Sequence, residues 1–211
     1  MNNQIKVTLP DGSTRTYDAG VTLRDIAFSI GNRLGKSALA GKIDGELVDL
    51  STHLVRDAAV EIVTFDSPEG QDIYRHSTAH ILAQAVKRLY PEAKLGFGPA
   101  IKDGFYYDFD LGLPFTPEDL TAIEAEMRQI IKEDDPFERR VVKREEAIQL
   151  LEAAGEKYKV EFLRELPDDK VSLYQQGEFV DLCVCPHVPS TGAIKVCKLL
   201  KVAGAYWRGD E

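Results

Sequence analysis

The feature that most constrains this chain is the polar stretch Asp66-Ser67-Pro68-Glu69-Gly70-Gln71. It breaks the apolar periodicity between a strand-rich first segment and a second segment that opens on a helix, and its turn-forming residues are those expected of a linker. Two hydrophobic cores are therefore expected, and the 211 residues supply enough chain for both. An apolar share of 44% and a charged share of 29% set the chain apart from disordered and membrane classes. No apolar run approaches the roughly 20 residues needed to cross a bilayer. Met1 to Val7 run into an alternating pattern without the apolar core or cleavage site of a signal peptide. The expectation is a soluble cytoplasmic protein with no membrane partner. Cys183, Cys185 and Cys197 are odd in number and unlike a disulfide framework, so they are expected to be free thiols or ligands.

Up to Phe65 the pattern is self-contained. Strands at Ile5 to Leu9 and Thr14 to Tyr17 flank an Asp11-Gly12 turn, which makes a hairpin. Thr22 and Asp25 mark a helix start, with Leu23, Ile26, Ala27 and Ile30 at helical spacing before Gly31 ends the run. Strands follow at Ala38 to Ile43, Glu46 to Leu50 and Val60 to Phe65. This order predicts a small ubiquitin-like β-grasp domain over residues 1–64. Over 65–211 the pattern predicts a mixed α+β domain with helices packed on an antiparallel sheet. Its first helix is expected from about Asp72 to Leu89, with Ile81, Leu82, Ala85, Val86 and Leu89 on the core face and Pro91 as the stop. Leu95 to Asp110 alternates Gly and aromatic residues like a bent hairpin, Thr116-Pro117-Glu118 opens a second helix, and Glu145 to Ala153 form a third, ended by Gly155. Strands are expected at Val141 to Lys143, Tyr158 to Phe162, Glu178 to Cys183 and Ala193 to Tyr206.

The net charge of −9 argues against indiscriminate nucleic-acid binding, because phosphate affinity comes largely from Lys and Arg. Between Leu182 and Gly209, however, there is no acidic residue, while Lys195, Lys198, Lys201 and Arg208 all fall there. That segment is either a solvated strand face or a local phosphate-facing patch.

His76-Ser-Thr-Ala-His80 sets two imidazoles on one helical face. Alone, such a pair is more often packing than chemistry. The signal sharpens with Cys183-Val-Cys-Pro-His187, because a strand end carrying a Cys and a His can converge on the helical pair. The combined HxxxH and CxxxH set has two uses: tetrahedral zinc ligation by His76, His80, Cys183 and His187, or metal-free positioning of a water and an ester. A zinc protease of the HExxH kind is disfavoured, since Ser77 stands where that motif carries its general base.

Several ordered motifs together resemble the amino-terminal half of the threonyl-tRNA synthetases. They are His76-Ser-Thr-Ala-His80, Phe97-Gly-Pro99, Gly104 to Asp110, Tyr158-Lys-Val160, Asp181-Leu-Cys183, Pro186 to Pro189 and Gly204 to Asp210. The resemblance covers essentially the whole chain, with residues 1 to about 64 similar to a TGS domain and about 65 to 211 to an editing domain shared with alanyl-tRNA editing proteins. It implies hydrolysis of seryl-tRNA(Thr), with the serine-bearing acceptor end of tRNA(Thr) as partner. His76, His80, Cys183 and His187 would line the pocket, Lys159 would help activate water, and Tyr107 and Asp181 would bind the seryl moiety or the terminal adenosine. Such a site resembles one that works without metal, so no cofactor is expected, and zinc is the alternative.

Serine lacks one methyl group of threonine, a difference worth only about 1 to 3 kcal/mol, so a second sieve is required. Gly98, followed by Pro99, is the expected close wall against the extra methyl. One departure is Val184-Cys185 where Arg-Gly is expected, which removes a basic tRNA contact. No segment is long enough for an ATP-binding class II domain. The chain is therefore expected to be a synthetase fragment, working with that catalytic domain in the full-length enzyme or in trans, or a free-standing editing factor. The rival is a non-catalytic tRNA-binding module.

Overall fold

The computed structural model describes residues 4–204, which form two compact units. The first comprises residues up to Tyr74 together with 185–189. Its strands are β1 (Gln4–Thr8), β2 (Thr14–Asp18), β3 (Val21–Thr22), β4 (Ala38–Ile43), β5 (Glu46–Val48), β6 (His53–Leu54) and β7 (Ala58–Thr64). Five of them make a sheet in the order β2-β1-β7-β4-β5. β1 runs parallel to β7 and the other pairs are antiparallel, with β3 and β6 forming a separate short ladder. Helix α1 (Leu23–Ile30) starts on a reciprocal cap: Thr22 accepts from the Asp25 backbone, and Asp25 accepts from the Thr22 backbone. Its Leu23, Ile26 and Ala27 join Ile5, Val7, Leu54 and Val60 in the core, as expected of a β-grasp unit. A second short helix, α2 (Asn32–Ser37), follows the Gly31 stop, and its Gly35 is needed because the Phe28 ring fills the space of a β-carbon.

Helix α3 (Pro68–Leu89) begins four residues before the expected Asp72. Pro68 sits in the first turn, where its missing N–H costs nothing, and Ser67 Oγ accepts from Gly70 N at 3.1 Å. The polar stretch is therefore mostly helix start. Residues up to Tyr74 group with the first unit and the remainder with the second. From Ser77 to Val86 the helix is buried on every side, which explains why its polar positions, Ser77, Thr78, His80 and Gln84, are buried too. Leu89, expected in the core, is exposed.

In the second unit, β8 (Lys94–Leu95), β9 (Ala100–Ile101), β10 (Gly104–Phe105) and β11 (Phe109–Asp110) form the bent hairpin, with β8 paired to β11 and β9 to β10. Helix α4 (Pro117–Glu133) opens on a Thr116–Asp119 cap. An antiparallel sheet of β12 (Glu138–Lys143), β13 (Lys170–Gln176) and β14 (Phe179–Leu182) packs against α5 (Arg144–Ala153) and α6 (Lys157–Glu165) through Val142, Ala147, Leu151, Leu163 and Leu173. The mixed α+β class is thus observed.

Two expected strands are not strands. Tyr158 to Phe162 lies in α6, because Lys159, Val160 and Leu163 are buried at helical spacing while the apolar-polar alternation of Tyr-Lys-Val-Glu-Phe only imitates a strand. Beyond the single 3₁₀ turn Thr191–Ala193, the chain to Gly204 has no regular structure, and residues 205–211, including Tyr206, Arg208 and most of the Gly204 to Asp210 motif, lie outside the described residues. This segment is tied down by Glu124, which accepts from Leu199 N and pairs with Lys198 at 2.8 Å. Among the described residues no helix is long and apolar enough to cross a membrane.

Gly70 is the most confined of these positions, since a β-carbon there would lie 1.9 Å from the Thr64 carbonyl oxygen, a backbone atom that cannot swing aside. Gly70→Ala is expected to lower the unfolding free energy by about 1 to 3 kcal/mol in urea denaturation. An unchanged midpoint would mean that the first turn of α3 adjusts freely.

Candidate active site

The second unit gathers a continuous polar cluster in its interior. Helix α3 carries His76 and His80 one turn apart, their rings 4.9 Å between centroids. β14 presents Asp181 and leads directly to Cys183, α6 contributes Lys159, and the bent hairpin contributes Tyr107 and the Gly98 carbonyl. His76 Nδ1 lies 3.0 Å from the Gly98 oxygen, and its Nε2 lies 3.0 Å from Cys183 Sγ. A carbonyl only accepts, so Nδ1 carries the hydrogen. Burial holds the His76 ring below the ordinary imidazole range. The ring is then neutral near pH 7, with its Nε2 lone pair directed at the thiol.

Asp181 is the hub on the other side of the cluster. Its Oδ1 lies 3.0 Å from Lys159 Nζ and accepts from Leu182 N at 2.8 Å, while its Oδ2 accepts from the Tyr107 hydroxyl at 2.6 Å. Both members of the ion pair are 2% exposed, so the charges are held in low dielectric and sustained by these additional bonds. Lys159 also lies 4.2 Å above the Phe97 ring centroid, a cation–π contact that replaces part of its lost hydration. Burial and the Asp181 carboxylate push the Tyr107 hydroxyl well above the ordinary phenol range, which keeps it a donor. His80 is driven well below the imidazole range by burial first, then by His76 and Lys159. At 3.9 Å from Asp181, its Nε2 is beyond hydrogen-bond reach of that carboxylate.

The structure thus brings together His76, His80, Cys183, Lys159, Asp181 and Tyr107. His187 lies in the segment 185–189, buried in the first unit, where its backbone N–H donates to Asp49 Oδ1 at 3.0 Å. At Gly98 a β-carbon would fall 2.1 Å from the Tyr107 ring, so the glycine makes room for that ring and turns its carbonyl to His76. Pro99 is exposed. Val184 and Cys185, which replace the expected Arg-Gly, are exposed. The candidate ligand atoms of His76, His80 and Cys183 lie within 4.8 Å of one another. Two imidazoles and a thiol suit zinc, and a carbonyl holding the far nitrogen of His76 is the usual outer support of a zinc-bound histidine. These donors therefore fit a zinc ion as well as a metal-free site. Ser172, whose hydroxyl donates to the Cys183 carbonyl and whose own carbonyl accepts from Cys183 N, was missed from sequence; only the β13–β14 register reveals it.

Comparison with known proteins fits this arrangement. Residues 5–64 match the TGS domain, and residues 171–211 match the "Threonyl and Alanyl tRNA synthetase second additional domain". The fold and the cluster therefore define a β-grasp TGS unit joined to an accessory domain of the aminoacyl-tRNA synthetases. Over nearly its full length the chain is 59% identical to a threonine–tRNA ligase of Geobacter sp. (strain M21), covering 99% of this chain and 33% of that protein. The ligase of Desulforamulus reducens is 57% identical over 98% of the chain, and that of Symbiobacterium thermophilum 54% identical over 100%, each again with 33% of the relative covered. The chain is thus similar over its whole length to these threonine–tRNA ligases, and it spans about a third of their length.

Replacing Asp181 by Asn leaves the Lys159 ammonium buried without its counter-charge. Asp181→Asn is expected to cost about 3 to 5 kcal/mol in urea denaturation, and adding Lys159→Met is expected to recover much of that loss. Additive losses in the double variant would show that the two charges are not coupled.

Proposed function

We propose that the second unit hydrolyses the ester joining serine to tRNA(Thr), as the proofreading portion of a threonyl-tRNA synthetase. The observation that carries this reading is the neutral His76 ring, with its Nδ1 hydrogen committed to the Gly98 carbonyl and its unprotonated Nε2 meeting the Cys183 thiol, set in the same cluster as a buried lysine. In the proposed reaction a water attacks the ester carbonyl carbon and gives its proton to His76 Nε2. Lys159 supplies positive charge toward the developing oxyanion, and Asp181 keeps that lysine in place. The carbon–oxygen bond to the ribose then breaks, the ribose oxygen takes the proton back, and serine leaves. His80 and Cys183 position the ester and ribose, and His187 is the proposed fourth member of the set on the strength of its CxxxH spacing. Tyr107 and Asp181 border the seryl or adenosine subsite.

The reading is metal-free. A zinc ion held by His76, His80 and Cys183 would supply a Lewis acid that polarises water. Elemental analysis of tag-free protein is expected to find no stoichiometric metal, and zinc that is lost in Cys183→Ala would replace this mechanism. We propose further that the domain acts in the cytoplasm on the acceptor end of tRNA(Thr), beside a class II catalytic domain. Domain limits near residue 64 are part of the same proposal.

Deacylation of seryl-tRNA(Thr) by His76→Ala and by Lys159→Ala is expected to fall by about 100-fold or more, the usual share of a positioned acid–base group. Tight tRNA binding without hydrolysis by the unaltered chain would favour a non-catalytic binding module instead. The pH profile has a definite sign. Because burial lowers the His76 value, the base form persists below about pH 6.5, and the rate should decline only at more acid pH than a free imidazole would dictate. A decline that begins above that value would remove His76 as the base.

A further inference from the structure

Helix α3 presents polar side chains at His76, His80, Gln84 and Arg88, each four residues from the last and so on one face. All four face the β13–β14 hairpin. His76 meets Cys183, and His80 lies beside Asp181. Gln84, 1% exposed, lies within reach of Glu178 Oε1, which its Nε2 meets at 3.3 Å, and its Oε1 accepts from Gln176 Nε2 at 3.3 Å. Arg88 closes a two-pronged bond on Glu178, with Nε at 2.6 Å and Nη2 at 3.0 Å, and also reaches Glu126 and Glu133 on α4. Four helical residues advance about 6 Å and two strand residues about 6.7 Å, so the helix and the hairpin run past one another from Cys183 and Asp181 at one end to Glu178 and Gln176 at the other. Past Phe179 the strand ends at the tight Gly177 turn, whose φ of 53° suits glycine. Gln84 and Arg88 hold that turn.

We infer that Gln84 and Arg88 are positioning residues, which set the axial register of helix α3 against the β13–β14 hairpin and thereby fix the contact between His76 and Cys183. This rests on the hydrolytic reading above for its functional consequence, though not for its structural one. A slide of α3 along the hairpin would take from the Gln84 amide and from Gln176 Nε2 the buried partners they have here, at a cost in free energy. The Arg88 fork adds a directional, charge-assisted bond, strong enough to hold the Glu178 carboxyl down at about 2. Their influence on the chemistry would pass through the placement of α3, which carries both His76 and His80.

The test uses Gln84→Met, which keeps length and packing but removes both amide bonds, and Arg88→Lys, which keeps the charge but loses the fork. Two readouts are taken on the same samples. The first is single-turnover deacylation of seryl-tRNA(Thr), where the rate at saturating protein is expected to fall by about 10- to 100-fold with tRNA affinity unchanged, as a displacement of about 1 Å can cause. The second is the ring ¹⁵N spectrum of His76, where the pattern of a protonated Nδ1 and a hydrogen-bonded Nε2 is expected to be lost or averaged in each variant. His76 ring signals that match the unaltered chain in both variants would overturn the inference. Should the unaltered chain prove unable to deacylate seryl-tRNA(Thr), the hydrolytic reading fails by itself, and the His76 spectra still decide the register claim. If Gln84→Met does not fold, Arg88→Lys, altered at a partly exposed site, decides it.

Discussion

A carboxylate taken out of water must be met on each of its lone pairs, and Asp181 is met by three separate parts of the second unit: Lys159 from α6, Tyr107 from the bent hairpin and its own strand through Leu182 N. Each partner is itself buried, so none can relax into solvent if another is lost. The remainder of the cluster follows from this demand. Tyr107 in place requires Gly98, because no larger residue leaves room for its ring, and Gly98 in place turns a carbonyl toward His76. That carbonyl selects one tautomer of the imidazole and frees the other nitrogen for Cys183.

The burial of α3 on all sides over Ser77 to Val86 has the same origin. A helix that carries polar side chains into an interior is stable only where they find partners, and Gln84 finds its partners on the β13–β14 hairpin. The arrangement trades stability for specificity. A leucine-rich helix would pack with less risk, but it would not distinguish one axial register from the next, and a site built from a helix and a strand end needs a single register.

Much of this could be read from residue order, where local rules act alone. The first unit was legible nearly strand for strand, since alternation, two Asp-Gly turns and the Thr22–Asp25 cap are signals within a few residues of each other. The pairing of His76-x-x-x-His80 with Cys183 was legible as chemistry from residue type and spacing, helped by the family resemblance. Other features were not. Tyr158 to Phe162 alternates like a strand, yet forms a helix because Val160 and Leu163 meet a core that the local sequence does not specify. The partner of Lys198 was not legible either, since it is a glutamate 74 positions earlier in the chain.

What the sequence determined by itself was the inventory and the local geometry: two folding segments, which side chains fall on one face of α3, and which donor types are present for the candidate site. These depend on spacing of 3.6 or 2 residues per repeat, which the chain carries everywhere along its length. Tertiary structure alone decided which nitrogen of His76 is protonated, that Lys159 is buried against Asp181, and that Gly98 serves Tyr107. The reason is physical. Protonation and charge in an interior are set by distance and by exclusion of water, and both arise only when segments about 22 to more than 100 residues apart pack together.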